Sequence, residues 1–278
     1  MIDAVFSDID GTICFHRDIH GIREAGPGAN GEFFTIEPGS NEKRPAWDVS
    51  VTGYKVYLDL ETCKLANELS DLVPLVYVTG GREASIRTRA EYLSFRHGVI
   101  LESGGLILDG NYEVNRQWWD LLQPERSDLL EIRASLESAG WNIDGEGRTS
   151  AIRVRAHDNT HKTFQAFETL CHEIILPDGL KKTINLGNLD IILKSAGKDN
   201  AVKYWAETHN IKLENAAGIG DDINDICFLR LTGKKYILAS AYPELAETAH
   251  REGWYISKKG HFSGINEILR VIIRDECK

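Results

Sequence analysis

A chain of 278 residues with 42% apolar content can bury a core without disulfide or metal staples, and a formal net charge of −10 leaves no basic field for nucleic acid or an anionic membrane. No apolar run reaches the roughly eighteen residues that a membrane span needs, and an N-terminus carrying Asp3, Asp8 and Asp10 is not a signal peptide, so the chain reads as cytoplasmic. Five scattered cysteines with no C-x-x-C pair argue against a disulfide framework and a zinc cluster alike, and read as reduced thiols.

From the N-terminus, the apolar run 2–6 is short enough for a buried strand, and it leads into Ser7-Asp8-Ile9-Asp10-Gly11-Thr12. Residues two apart on a strand share a side, so Asp8 and Asp10 crowd together and repel unless a cation or a proton intervenes. The stretch 14–55 is rich in glycine and proline around one apolar patch, Phe33-Phe34-Thr35-Ile36. It reads as a long loop. Its place directly after the acidic strand end suggests a flap over a site, against the plainer reading of a surface hairpin that touches no ligand. A helical stripe of Cys63, Ala66, Leu69 and Leu72 follows. The strand 75–78 then ends in Thr79-Gly80-Gly81, ahead of a helix carrying Ile86, Ala90 and Leu93. A free helix N-terminus with small residues offers backbone N–H groups to an anion and Thr79 adds a hydroxyl, which suits a phosphate, although Thr-Gly-Gly also serves as a plain strand-to-helix turn.

After a strand at 99–101 the rhythm changes. Residues 112–194 read as helix, strand, strand, repeated twice: helix 124–138, strands 141–143 and 151–155, helix 162–174, strands 182–186 and 189–193. That is the pattern of a small α+β layer inserted into a larger domain. Alternation of strand and helix resumes with a helix that opens at Lys198 and carries Val202, Trp205, Ala206 and His209. A lysine at a helix start opposes the dipole, and neutralising a phosphate or a nucleophilic carboxylate would account for it, with Lys194 as the competitor. The strand 216–219 runs into Gly220-Asp221-Asp222-Ile223-Asn224-Asp225, three carboxylates and an amide in five residues. Capping the next helix explains one or two of them; a hard divalent cation with oxygen ligands, magnesium foremost, explains the set. Strands at 236–239 and 254–256 and a helix carrying Ile265, Ile268, Leu269 and Ile272 end the chain. Such alternation predicts a parallel sheet covered on both faces, with ligands beyond the carboxyl ends of its strands.

Taken in order, Asp-x-Asp-Gly-Thr, a strand-terminal Thr-Gly-Gly, a helix-opening lysine and Gly-Asp-x-x-Asn-Asp resemble the four signature motifs of the haloacid dehalogenase superfamily of phosphatases. The insertion resembles the cap of the branch containing sucrose-phosphate phosphatase, the Cof-type sugar phosphatases, mannosyl-3-phosphoglycerate phosphatase and phosphomannomutase. Where that branch often has Glu-Asn-Gly, this chain has Glu102-Ser103-Gly104. The resemblance implies an α/β fold: a Rossmann-like parallel-sheet core of residues 1–111 and 195–278, and an inserted α+β cap of residues 112–194 that selects the substrate.

It also implies a Mg²⁺-dependent phosphomonoester hydrolase acting on a small-molecule phosphate ester, a sugar phosphate or glycosyl phosphate. Asp8 would attack phosphorus and form an aspartyl-phosphate; Asp10 would protonate the leaving alkoxide and then deprotonate water, reaching the metal through its backbone carbonyl. Asp8, Asp10 and Asp221 would hold the metal, while Thr79, Gly80, Gly81 and Lys198 would hold the phosphoryl oxygens. Asn224 is expected beside the substrate or the metal's waters and Asp225 beside the metal; Asp222 is read as a cap, and Thr12 as fixing the loop of Asp10. A phosphomutase of the same fold is the alternative, and a binding module without turnover is opposed by the intact motif set. His157 and His161 read as a solvated pair, Trp118 and Trp119 as linker packing in preference to stacking on a sugar, and Arg82, Arg116, Arg153 and Arg155, which could bind a second anionic group, as ordinary exposed cations.

Overall fold

The computed structural model describes residues 1–28, 31–51, 54–144, 147–155, 163–185 and 188–277. In chain order, β1 (Ala4–Ser7) is followed by the short strands β2 (Phe15–His16), β3 (Arg23–Pro27), β4 (Phe33–Ile36), β5 (Lys43–Asp48) and β6 (Val56–Asp59). Then come α1 (Leu60–Leu72), β7 (Leu75–Val78), α2 (Glu83–Arg89), β8 (Val99–Leu101), β9 (Leu106–Leu108) and α3 (Arg116–Leu121). The inserted portion holds α4 (Gln123–Ser138), β10 (Ile143–Asp144), β11 (Ala151–Val154), α5 (Phe164–Glu173), β12 (Leu180–Asn185) and β13 (Asn188–Leu193). The chain closes with α6 (Lys198–Thr208), β14 (Ala216–Gly220), α7 (Ile226–Leu229), β15 (Lys234–Ile237), α8 (Pro243–Glu252), β16 (Tyr255–Ile256) and α9 (His261–Val271).

Seven strands form one sheet in the order β16-β15-β14-β1-β7-β8-β9, parallel except for the final antiparallel pair. Helices cover both faces, which is why β1, β7 and β14 are buried throughout and apolar without alternation. Val5 faces a cluster with Leu69, Leu75, Ile265 and Ile268, whereas Ala4 and Phe6 face the opposite cluster with Val202 and Phe228. Phe6 meets Trp205 of α6 edge to face, with ring centroids 5.6 Å apart, and so fixes the helix that begins at Lys198. Because β1 lies between β7 and β14, the segments leaving their carboxyl ends must be neighbours; the fold is a Rossmann-like core with an inserted α+β cap.

The cap sheet, in the order β10-β11-β13-β12, is antiparallel and two-faced. Ile152, Val154, Leu189 and Ile191 pack against Leu129 and Phe167 of α4 and α5, while Arg153 and Asp190, paired in register, lie on the other face. The two helices and four strands expected between 124 and 193 all occur, within a few residues of the expected ends.

The 14–55 stretch departs from the expected long loop. It carries β2 to β5, which with β6 make a five-stranded antiparallel sheet in the order β2-β6-β5-β4-β3. Arg44 holds it together, pairing with Glu37, Asp59 and Glu61, and Glu37 in turn accepts from the backbone N–H and hydroxyl of Ser263 in the first turn of α9. Among the described residues no helix is long and apolar enough to cross a membrane.

Candidate active site

Asp8 follows β1 and is nearly fully buried, its backbone N–H donating to the Ile219 carbonyl at 2.9 Å. The Lys198 ammonium donates at 2.6 Å to Asp8 Oδ1 and at 2.6 Å to Asp225 Oδ1. The other oxygen of Asp225 accepts the backbone N–H groups of Asp221 and Asp222, at 3.0 and 3.1 Å. Thr12 donates its hydroxyl to Asp221 Oδ1 at 2.6 Å. Thr12 therefore orients Asp221 across the strand gap, in addition to shaping the turn after Asp10. Lys194, the competitor for Lys198, is exposed.

Carboxylate oxygens of Asp8, Asp221 and Asp225 lie within 4.8 Å of one another, all three residues buried. Burial, reinforced by the charge of Asp225, pushes Asp8 well above the ordinary carboxylate range despite Lys198; burial and the charge of Asp8 do the same to Asp221. Burial would discharge Lys198, but the charges of Asp225 and Asp8 outweigh it and hold the ammonium above the usual lysine range. One lysine among three buried carboxylates leaves negative charge uncompensated, so the cluster is able to chelate a divalent cation. The approach of Gly11 fits this. At φ +99° and with any Cβ only 2.1 Å from Asp221 Oδ2, position 11 excludes a side chain. Gly11→Ala is expected to lose about 1–3 kcal/mol in denaturant unfolding and to weaken cation-dependent stabilisation; unchanged values on both would remove Gly11 from the site.

Asp10 turns away from that cluster. Arg89, buried at the end of α2, donates to Asp10 Oδ1 at 2.6 Å and to Oδ2 at 3.3 Å, Thr79 donates to Oδ2 at 3.3 Å, and His16 Nε2 lies 3.4 Å from Oδ1. Burial opposes its charge, but the Arg89 guanidinium and then His16 hold Asp10 well below the usual range. Arg89 escaped the sequence reading, although its signal is there: a charged residue three after Ile86 on the buried stripe of α2.

Thr79 and Gly80 follow β7, and the Gly81 N–H donates to Thr79 Oγ1 at 2.9 Å. The loop is braced from behind, since the N–H groups of Ser103 and Glu102 donate to the carbonyls of Thr79 and Gly81. Both residues stand at positive φ, +56° and +51°, and Glu102 accepts the N–H groups of Thr149 and Ser150 from the cap. Asp222 caps the turn after β14, paired reciprocally with Asp225, and Asn224 keeps a buried amide oxygen with no hydrogen-bond partner.

Asp8, Asp10, Thr79, Gly80, Gly81, Lys198, Asp221 and Asn224 thus line one cavity of about 130 Å³. Its other walls come from outside the core motifs. Val56 of β6, with Val49 and Tyr54 of the connection that leads into it, supplies an apolar side, and Arg148, Arg153 and Arg155 of the cap supply a cationic roof. Arg153 and Arg155, read as ordinary surface cations, are drawn into ion pairs with Asp190 and Asp144, and Arg82 joins Asp144 at 2.7 Å. Arg116 is exposed and does not line the cavity. Trp118 and Trp119 pack the linker, donating to the Gly104 carbonyl and stacking under Arg126. His157 and His161 lie outside the described residues.

Residues 137–269 match the family model of haloacid dehalogenase-like hydrolases. A phosphoglycolate phosphatase of Staphylothermus marinus is 35% identical over 189 residues, covering 66% of this chain and 75% of the relative. The solved structure of Thermoplasma acidophilum 0175 superposes with a TM-score of 0.61 at 12% identity, over 97% of either chain. The sucrose-phosphatase of Synechocystis, solved with sucrose and phosphate, superposes with a TM-score of 0.57 at 20% identity, over 77% of this chain and 91% of that one. Identity at that level over most of a relative, on a shared fold with the acidic cluster at its strand ends, establishes that the chain belongs to the haloacid dehalogenase-like hydrolases, an enzyme with the fold of that family's phosphatases.

Proposed function

We propose that the chain is a Mg²⁺-dependent phosphomonoester hydrolase that works through a covalent aspartyl-phosphate on Asp8. The observation that carries this is the Lys198 ammonium bridging Asp8 and Asp225 at 2.6 Å each inside a buried acidic cluster. A lysine so placed opposes the upward push of burial on Asp8 and so favours the carboxylate form that attacks phosphorus. An Asp8 oxygen bonds to phosphorus as the bond to the leaving oxygen breaks; water then attacks phosphorus and restores the carboxylate. Lys198, the Thr79 hydroxyl and the Gly80 N–H stabilise the charge on the transferring oxygens, with the Gly81 N–H fixing the Thr79 side chain. Asn224, through its unpartnered amide oxygen, accepts from water or a substrate hydroxyl.

Asp10 moves the protons, giving one to the leaving alkoxide and taking one from water. Its pairing with Arg89 favours the carboxylate, the form that deprotonates water, so the first half-reaction requires substrate to draw Asp10 off Arg89. Asp8 and Asp221, with the Asp10 carbonyl, would hold Mg²⁺, which supplies positive charge against the phosphoryl oxygens. Asp225, both of whose oxygens are already engaged, positions Lys198 and the Asp221 backbone.

Residues 112–194 act in this reading as the cap that selects the leaving group over the core of 1–111 and 195–278. The substrate is a small phosphorylated metabolite of sugar-phosphate or hydroxy-acid size. The sucrose-phosphatase likeness supports a sugar and the phosphoglycolate phosphatase relative supports an acid. A phosphomutase would return an isomeric ester retaining the substrate's phosphorus, whereas a hydrolase releases inorganic phosphate.

Excess chelator is expected to lower hydrolysis by about 100-fold or more, corresponding to several kcal/mol of lost charge stabilisation, with recovery on adding Mg²⁺. Undiminished turnover in chelator would overturn the metal assignment.

A further inference from the structure

The described part of the cavity roof gathers Arg82, Arg148, Arg153 and Arg155 around the carboxylates of Asp144 and Asp190. Arg82 and Arg155 converge on the single carboxylate of Asp144, at 2.7 and 2.9 Å, and Arg153 takes Asp190 at 2.6 Å. Arg148 has no carboxylate at ion-pair distance among the described residues. It donates through Nη1 to the Gly80 carbonyl at 2.9 Å, while its Nε is buried without a hydrogen-bond partner. Burial, and then the charge of Arg153, disfavours its charged form and outweighs the favourable charges of Asp190, Asp144 and Glu102 farther off. A guanidinium does not give up its proton in a protein, so this cost persists until an anion arrives.

The placement is as informative as the charge. Arg148 reaches the loop that flanks Asp8 on the floor, and Arg153 of β11 and Arg155 just beyond its end line the cavity above it. With a phosphoryl group on the floor, the leaving group occupies the space beneath these arginines. The floor already holds Asp8, Asp10 and Asp221, whose charges repel any second anion that the roof does not attract. A neutral leaving group would offer Arg148 hydroxyls only, whereas a planar oxyanion matches the guanidinium fork with two charge-assisted bonds.

We propose that Arg148, flanked by Arg153 and Arg155, forms an anion subsite in the cap that receives a carboxylate or second phosphate on the leaving group, so that the substrate is a phosphate monoester carrying a second oxyanion. This rests on the phosphatase reading above for what occupies the floor.

Non-hydrolysable phosphonates separate the two questions. Binding of 3-phosphonopropanoate and of (3-methylbutyl)phosphonate, near-isosteres in which an isopropyl terminus replaces the carboxylate, is measured by calorimetry on the wild-type protein with Mg²⁺. The carboxylate should bind at least about 10-fold more tightly, and ethane-1,2-bisphosphonate in the same assay tells whether a second phosphate is preferred to a carboxylate. In Arg148→Met the preference should fall below about 3-fold, and Arg148→Lys, which keeps the charge but loses the fork, should retain part of it. Equal affinities in the wild type overturn the subsite even if Arg148→Met does not fold, and so does a preference that survives in a folded Arg148→Met. Turnover of 3-phosphoglycerate and glycerol 3-phosphate is followed in parallel. Brisk hydrolysis with equal phosphonate affinities defeats the subsite alone; a phosphonate preference without hydrolysis of any ester defeats the phosphatase reading and leaves the subsite standing.

Discussion

Asp8→Asn should abolish turnover of every phosphate monoester while leaving the fold intact. The amide is isosteric with the carboxylate but has no electron pair to give phosphorus at a useful rate, and loss of a covalent nucleophile typically costs about 10⁴-fold or more. Stability should move little, or upward. Burial is the largest influence on Asp8 and it disfavours the charged form, so a neutral amide relieves a desolvation cost, and Lys198 retains Asp225 as its partner. Loss of activity with an unchanged melting temperature would therefore mark a chemical role, where loss of both would mark a structural one. Residual activity within about 10-fold of wild type would overturn Asp8 as nucleophile, and a trapped phosphoryl group on another residue would say which replaces it.

The parts of this site that can be read from sequence are those carried by short-range pattern. The strands β1, β7 and β14 announce themselves as apolar runs because helices bury both their faces, and each run ends in a polar segment where the chain leaves the sheet. Lys198 is legible because a cation at a helix start contradicts the dipole, and the structure supplies the reason, two buried carboxylates at 2.6 Å. What escapes is carried by pairing between distant residues. Arg89 meets Asp10 across 79 positions, and Glu102 meets Ser150 across 48, with nothing local to announce either contact. The second sheet escapes for a different reason. Its β3 is almost entirely exposed, with a register shift between Glu24 and Gly26, and Pro27 and Pro45 sit within strands, so alternation and propensity both speak for a loop. Only the closure of β6 between β2 and β5, with Val56–Asp59 buried, makes a sheet of it. The same long-range origin explains why the chemistry is more legible than the substrate: the cavity's apolar wall and cationic roof come from these two insertions.

Lys198→Met tests the electrostatic centre of the site through stability as well as rate. Methionine keeps much of the length of the side chain and removes only the ammonium, which leaves Asp8, Asp221 and Asp225 buried together without their cation. Removing one partner of a buried pair typically costs about 3–5 kcal/mol, which in a protein of this size lowers the melting temperature by roughly 10 °C. The pH dependence follows in sign from the same contacts. Lys198 is what opposes the upward push of burial on Asp8, so in its absence the folded-state carboxyls rise further above their unfolded values. Groups raised in this way contribute stability that is present below the unfolded pKa, roughly pH 4, and is lost as pH rises through the folded value. The deficit of Lys198→Met against wild type should therefore be small near pH 5 and large near pH 8, with turnover falling at neutral pH because the nucleophile stays protonated. Thermal unfolding of both proteins at the two pH values decides the matter. A deficit that is equal at pH 5 and pH 8, or a melting temperature within about 2 °C of wild type at pH 8, would mean that Lys198 does not hold these carboxylates in their charged form, and with that the account of how Asp8 remains a nucleophile would fail.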